Sequence, residues 1–208
     1  MEVAIGRSRS ARERLLQAAA ECFYAHGVTG TGIDTITATA GVAKMSLYNN
    51  FASKDELVLA YLEARHEEWL ELYRAQLGTT DGSGRQGVAA VFDAYADHAH
   101  AAYVHGFRGC GLLNAAAELP AGAPGREQVR RHKEQVEQLM VSHLAQLDSL
   151  SEDQVADLAL QLSFMLEGAM ARAGLEGTVE LMVRAKDLAL VLVDHAVAAG
   201  ARTPGAAT

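Results

Sequence analysis

Beyond Ser10 the chain places apolar residues at Ala11, Leu15, Ala18, Ala19, Cys22 and Phe23. Steps of three and four put them on one face of a helix, and Gly27 supplies a natural stop. A shorter apolar edge follows at Ile33, Ile36 and Ala40, ending at Gly41, and another at Leu47 and Phe51. After Ser53 the positions Leu57, Ala60, Tyr61, Ala64 and Trp69 begin a long amphipathic helix that runs to about Leu77. "GTTDGSG" (78–84) is a loop. A helix over about 85–105 carries Val88, Val91, Phe92, Tyr95 and Ala99. "GFRGCG" then breaks the pattern before the short apolar piece "LLNAAAEL". "PAGAPG" (120–125) is a second loop, helices over about 125–147, 152–174 and 178–199 follow, and "GARTPGAAT" reads as a frayed end. No stretch keeps a period of two for long, so the fold class is all-α.

Four stretches match the capping box, in which a Ser or Thr side chain and an acid or amide three residues on bond each other's backbone N–H. They are Ser10–Glu13, Ser53–Glu56, Ser151–Gln154 and the weaker Thr31–Asp34. Each precedes an apolar-periodic segment, so together they frame the helix starts. Composition agrees: of 208 residues half are hydrophobic and only three are proline, which allows a sizeable core and few helix breaks.

Charge divides the chain. Residues 1–56 hold six of the 18 Lys/Arg and six of the 26 Asp/Glu, so the whole formal charge of −8 falls on the remainder. The arginines at 7, 9, 12 and 14 either meet phosphate or form a solvated tail and polar helix face. The two cysteines, Cys22 and Cys110, make neither a disulfide framework nor a zinc-ligand spacing. No signal-peptide core and no 18-residue apolar run occur, so a cytoplasmic protein without a membrane span is expected.

The helices at 31–40 and 43–50 are too short to stand alone. Joined by the Gly41–Val42 turn and backed by Leu15, Ala19 and Phe23, they make a helix-turn-helix, whose second helix presents its first residues to the major groove of DNA. Its exposed positions, Lys44, Met45, Ser46, Tyr48 and Asn49, supply groups suited to phosphates and base edges. Lys54 reaches phosphate from the next helix, and Thr31 and Gly32 complete the DNA-facing set. The alternative is a three-helix core with an ordinary polar surface. The run Leu15–Leu57 resembles the DNA-binding domain of TetR-family transcriptional regulators. The resemblance is carried by Phe23 with Gly27, by Ala40-Gly41-Val42, by Leu47-Tyr48-Asn49-Asn50-Phe51 and by Ser53-Lys54-Asp55-Glu56-Leu57. It implies that Tyr48 and Lys54 hold phosphates while Lys44, Met45, Ser46 and Asn49 face the groove. Three departures bear on base preference more than on fold. Ala43 stands where the family commonly has a capping Ser, Met45 where Gly is frequent, and Thr37 where Ala is frequent.

The division expected is a DNA-binding domain at 1–56 with a basic arm and a larger helical domain at 57–208. In the second, "LALVLV" (188–193) is apolar on every face, and Gly168 and Ala171 allow close helix approach. A helix apolar all round must be covered all round. Either one core hides it, or Gly168, Ala171, Leu188, Val191 and Leu192 form a homodimer interface of the last two helices, which the resemblance also implies. Trp69, Tyr73, Phe92, Tyr95, His98, Tyr103, His105, Phe107, Cys110, Asn114, Phe164, Met165 and Met170 mix aromatic, soft and polar groups. They either line a small-molecule pocket or merely pack.

No metal or cofactor is expected: His98 and His105 are two turns apart and no i, i+4 histidine pair or HExxH occurs. Cys110 with His105 is the one nucleophile–base pair, and no hydrolase, dinucleotide or phosphate-loop motif accompanies it, so no enzyme is expected. The reading is a dimeric, ligand-responsive repressor. It binds double-stranded palindromic operator DNA and is released or modulated by a small, mainly apolar effector. The competing reading is an all-α small-molecule binding protein that sequesters its ligand.

Overall fold

The computed structural model describes residues 9–100 and 106–201. Among them are nine α-helices and no strand. These are α1 (Ala11–His26), α2 (Ile33–Ala40), α3 (Lys44–Tyr48), α4 (Lys54–Leu77), α5 (Gly84–His100), α6 (Gly111–Glu118), α7 (Pro124–Leu144), α8 (Glu152–Glu176) and α9 (Glu180–Gly200). The helix starts are written locally. Ser10 and Ser151 each form a complete capping box, with Glu13 and Gln154 returning the hydrogen bond. Ser53 caps the Glu56 N–H, but the Glu56 carboxylate turns to the Ala52 N–H instead. The expected Thr31–Asp34 box does not form. Gly32 is the N-cap of α2 without a side-chain bond, because the Thr31 hydroxyl donates to the carbonyls of Cys22 and Gly27.

The chain divides into two compact units. The first runs to Ala64 and takes in Gly111–Gln128; the second comprises Arg65–Cys110 and Val129 onward. The expected division at 56/57 falls in the first turn of α4. In the first unit α1 packs on α2, α3 and α6. Its core holds Leu15, Ala19, Phe23, Ile36, Leu47, Phe51, Leu57, Tyr61 and Leu112. Phe23 meets Tyr61 edge-on at 5.4 Å, and the Arg12 guanidinium lies 4.8 Å from the Phe51 ring centre. Burial of Leu47 and Phe51, each worth about 1.5–3 kcal/mol, holds the five-residue α3 in place, since a helix that short has no stability of its own.

In the second unit α4 from Arg65, α5, α7 from Val129, α8 and α9 surround one core. It contains Trp69, Val91, Phe92, Met140, Leu144, Leu162, Leu166, Met182 and Val193. Two ion pairs tie α5 to α9: Arg85 clasps both oxygens of Asp194 at 2.7 and 2.9 Å, and Lys186 meets Asp93 at 2.6 Å. No helix among the described residues is long and apolar enough to cross a membrane.

Candidate nucleic-acid interface and ligand cluster

In the first unit, α2 ends on Gly41, whose φ of 63° is the left-handed conformation that side chains disfavour. The Gly41 N–H donates to the Ala38 carbonyl and the Val42 N–H to that of Thr37, both at 3.1 Å. This closes α2 and turns the chain directly into α3. Ala43 is the N-cap of α3 and offers no side-chain oxygen, as its departure from Ser implies. Thr37 is buried and spends its hydroxyl on the carbonyls of Ile33 and Asp34, so the substituted position carries no stranded polar group.

Leu47 faces the core, while Met45 is 69% and Tyr48 48% exposed. Lys44 and Asn49 are also exposed, and Ser46 and Lys54 are half-buried. Lys44 forms an ion pair of 2.8 Å with Asp34 across the turn. The hydrogen bond and the charge of Asp34 raise the lysine above its usual range. Asn50 braces α3 from behind by donating to the Ser46 carbonyl at 2.7 Å. Thr31 is buried and its hydroxyl belongs to the turn, so its side chain is not offered to a phosphate. Gly32 is exposed at the start of α2.

Two short helices about a left-handed glycine, the second exposing a cation, a thioether, a phenol and an amide, define a helix-turn-helix DNA-binding protein. Residues 15–61 match the family model of bacterial regulatory proteins of the tetR family. A TetR-family transcriptional regulator from Streptomyces coelicolor, SCO4454, aligns over 92% of this chain and 96% of its own at 30% identity, with a TM-score of 0.75. A TetR transcriptional regulator from Chloroflexus aurantiacus aligns over 88% and 94% at 26% identity, with a TM-score of 0.76. The HTH-type transcriptional activator FasR of Mycolicibacterium smegmatis is 40% identical over 86 residues, 41% of this chain. That match spans 39% of the length of FasR. The chain belongs to the TetR family of transcriptional regulators.

The second unit gathers part of the expected pocket set. Trp69, Tyr73, Phe92, Tyr95 and Met170 are buried, and His98, Phe107, Cys110 and Met165 are partly so. Trp69 stacks on Tyr73 at 5.6 Å and tilts against Tyr95 at 5.1 Å. Two expected members fall elsewhere. Phe164 is 67% exposed on α8, and Asn114 is exposed on α6 in the first unit. Periodicity placed both on semi-apolar helices, but the faces they occupy are outer ones. Tyr103 and His105 lie outside the described residues.

Residues not singled out from sequence complete the cluster. Lys133 donates to Glu167 at 2.7 Å, to the Tyr95 oxygen at 3.2 Å and to the Cys110 sulfur at 3.6 Å. An ammonium has no acceptor, so the Tyr95 oxygen accepts here and its O–H donates to His132 Nε2 at 3.2 Å. His132 then carries its proton on Nδ1 and donates to His66 Nδ1 at 2.8 Å. Burial opposes the charge on Lys133, but Cys110, Tyr95 and Glu167 outweigh it and hold the ammonium charged. Burial raises the Tyr95 phenol. It also lowers His98 to about 4 and His132 to about 2, with Lys133 adding to both shifts. Trp69 Nε1 and Glu167 Oε2 are buried without a partner. Lys133 had left a sequence signal, since it sits among Val129, Val136 and Met140 on the apolar register of α7. His66 and His132, 66 positions apart, left none.

Proposed function

We propose that the chain is a dimeric, effector-responsive repressor of a palindromic operator. The exposed row Lys44, Met45, Tyr48 and Asn49 on and just after a braced α3 carries the reading: Met45, Tyr48 and Asn49 offer side chains to the outside that the core does not use, and Lys44, paired only with the exposed Asp34, keeps its charge at the surface. Support for a dimer comes from α8 and α9. Leu160, Phe164, Gly168, Ala171 and Leu175 follow one stripe of α8 in steps of four and three and are all exposed. Val183, Leu188 and Val191 are exposed on α9. A row of this kind on neighbouring helices suits a second copy, forming a four-helix interface. It would fix the spacing of two α3 helices on successive major grooves.

Effector response is supported by the buried polar cluster of the second unit. A charged pair inside a core is a poor source of stability, and the unpartnered Trp69 Nε1 and Glu167 Oε2 leave a donor and an acceptor for a ligand to satisfy. An effector needs about 1.4 kcal/mol of preference for one dimer state to change operator occupancy tenfold. The test is a gel shift with the DNA upstream of the chain's own gene, followed by a promoter fusion. Sequence-specific retention with rising transcription on deletion of the gene establishes repression. Falling transcription on deletion makes it an activator, and binding no tighter than to random DNA leaves the sequestering reading. Family membership favours regulation over sequestering.

A further inference from the structure

The first unit contains a helix that the chain supplies late. α6 begins 34 residues beyond the end of α4, yet it packs on α1. It is held at both ends. At Gly111 a Cβ would lie 3.0 Å from Tyr61 Oη and 3.2 Å from the Tyr24 ring, so the α6 backbone lies directly on those side chains. At the other end the Arg126 guanidinium donates to the Ala116 carbonyl at 2.9 Å. There the Glu118 carboxylate accepts the N–H of Val28 at 3.0 Å and of Thr29 at 2.7 Å, one on each oxygen. A Cβ at Gly27 would collide with the same carboxylate, and Gly27 has a φ of 81°. The conformation of Gly27 disfavours a side chain, and a Cβ there would also push the carboxylate off its two N–H donors.

We propose that Glu118 is a positioning residue for operator reading. The turn from Gly27 to Gly32 sets where α2 begins and hence where α3 points. Its backbone is fixed from inside by the Thr31 hydroxyl and from outside by Glu118. Among the described residues the Glu118 carboxylate is the acceptor that holds both the Val28 and the Thr29 N–H. Successive N–H groups converging on one anion form a nest. Two donors on two oxygens require a carboxylate; an amide would face one N–H with another. Burial alone would push Glu118 up, but the bonds from Thr29 and Val28 and the charge of Lys54 win and lower it, so it is held as the anion. The inference rests on DNA binding through α3 and not on an effector.

The experiment uses the full chain and two duplexes of equal length: one selected by the wild-type protein from a random-sequence pool, and one scrambled. Glu118→Ala is expected to weaken the selected duplex about five- to tenfold, as loss of a hydrogen-bonded anchor implies. The scrambled duplex and the thermal midpoint stay near wild type. Amide exchange over residues 27–32 speeds up in the same variant. Glu118→Gln keeps the shape, removes one acceptor and gives a similar loss. The proposal is overturned if Glu118→Ala binds the selected duplex within about twofold of wild type, or weakens both duplexes equally. It is also overturned if Glu118→Gln binds like wild type while Glu118→Ala does not, because packing and not the paired acceptors would then be responsible.

Discussion

The two units put their charges to opposite uses. In the first, Lys44, Asp34, Glu118 and the arginines of α1 sit at the surface, where water and salt screen them. What the cations among them can do depends on a partner with high charge density, such as a phosphate backbone. In the second, Lys133, Glu167, Tyr95, His98 and His132 are wholly or largely withdrawn from solvent. There burial and neighbouring groups set the protonation of Lys133, Tyr95, His98 and His132, and a lost partner has no substitute. The charges of the first unit are thus open to salt, and the second unit to pH and to any molecule that reaches its polar atoms.

The largest expected break of this contrast is Lys133→Met. It strands Glu167 and leaves Tyr95 without a donor, and should cost about 3–5 kcal/mol in urea unfolding. Adding Glu167→Gln should recover part of that loss; an undiminished loss would show that packing, not the pair, is at stake. Acid comes second. His98 and His132 have folded pKa values lowered to about 4 and about 2, below the unfolded value. The unfolded chain therefore takes up protons first, and stability present above pH 6.5 falls as pH drops. Each histidine contributes about 1.4 kcal/mol per pH unit, until the His98 share ends near pH 4. Denaturation midpoints at pH 7, 6 and 5 measure the slope, and a flat profile would mean that these imidazoles take up protons in the native state as readily as in the unfolded chain.

Phe164→Asp puts a charge in the middle of the exposed α8 stripe and should weaken self-association about a hundredfold. Sedimentation measures it, with operator binding falling in parallel while the fold persists by circular dichroism. The smallest effect belongs to the first unit. Lys54→Gln should weaken selected and scrambled DNA alike and lower the salt slope by about one. Met45→Gly should instead alter base preference. If Lys54→Gln changed preference and Met45→Gly changed only the salt slope, the assignment of backbone and groove contacts would be reversed.

Much of the first unit was legible because its signals are local. Ser10 announces a helix within four residues, Gly41 announces a turn, and Leu47 with Phe51 marks the buried side of α3. The Thr31 capping box was misleading for an equally physical reason: a hydroxyl has several carbonyls in reach, and those of Cys22 and Gly27 took it. In the second unit the aromatic members of the cluster could be named, but not the Lys133–Glu167 pair or the His66–His132 bond. Residue types say that such groups need partners and not which partners they find. Phe164 shows the same limit in reverse. Its helix is apolar on more than one face, and only packing reveals that this face stays outside.

By itself the sequence determined that the chain is helical, where most helices start, and that residues 31–51 form a helix-turn-helix. Period, caps and turn residues act over a few positions and need no knowledge of the rest. Tertiary structure alone decided that α6 joins the first unit and that Glu118 reaches back 90 positions to Val28. It also decided that a lysine, a tyrosine and two histidines share one line of hydrogen bonds. Those pairings depend on which helix faces lie together in space, and burial then makes each of them costly to break.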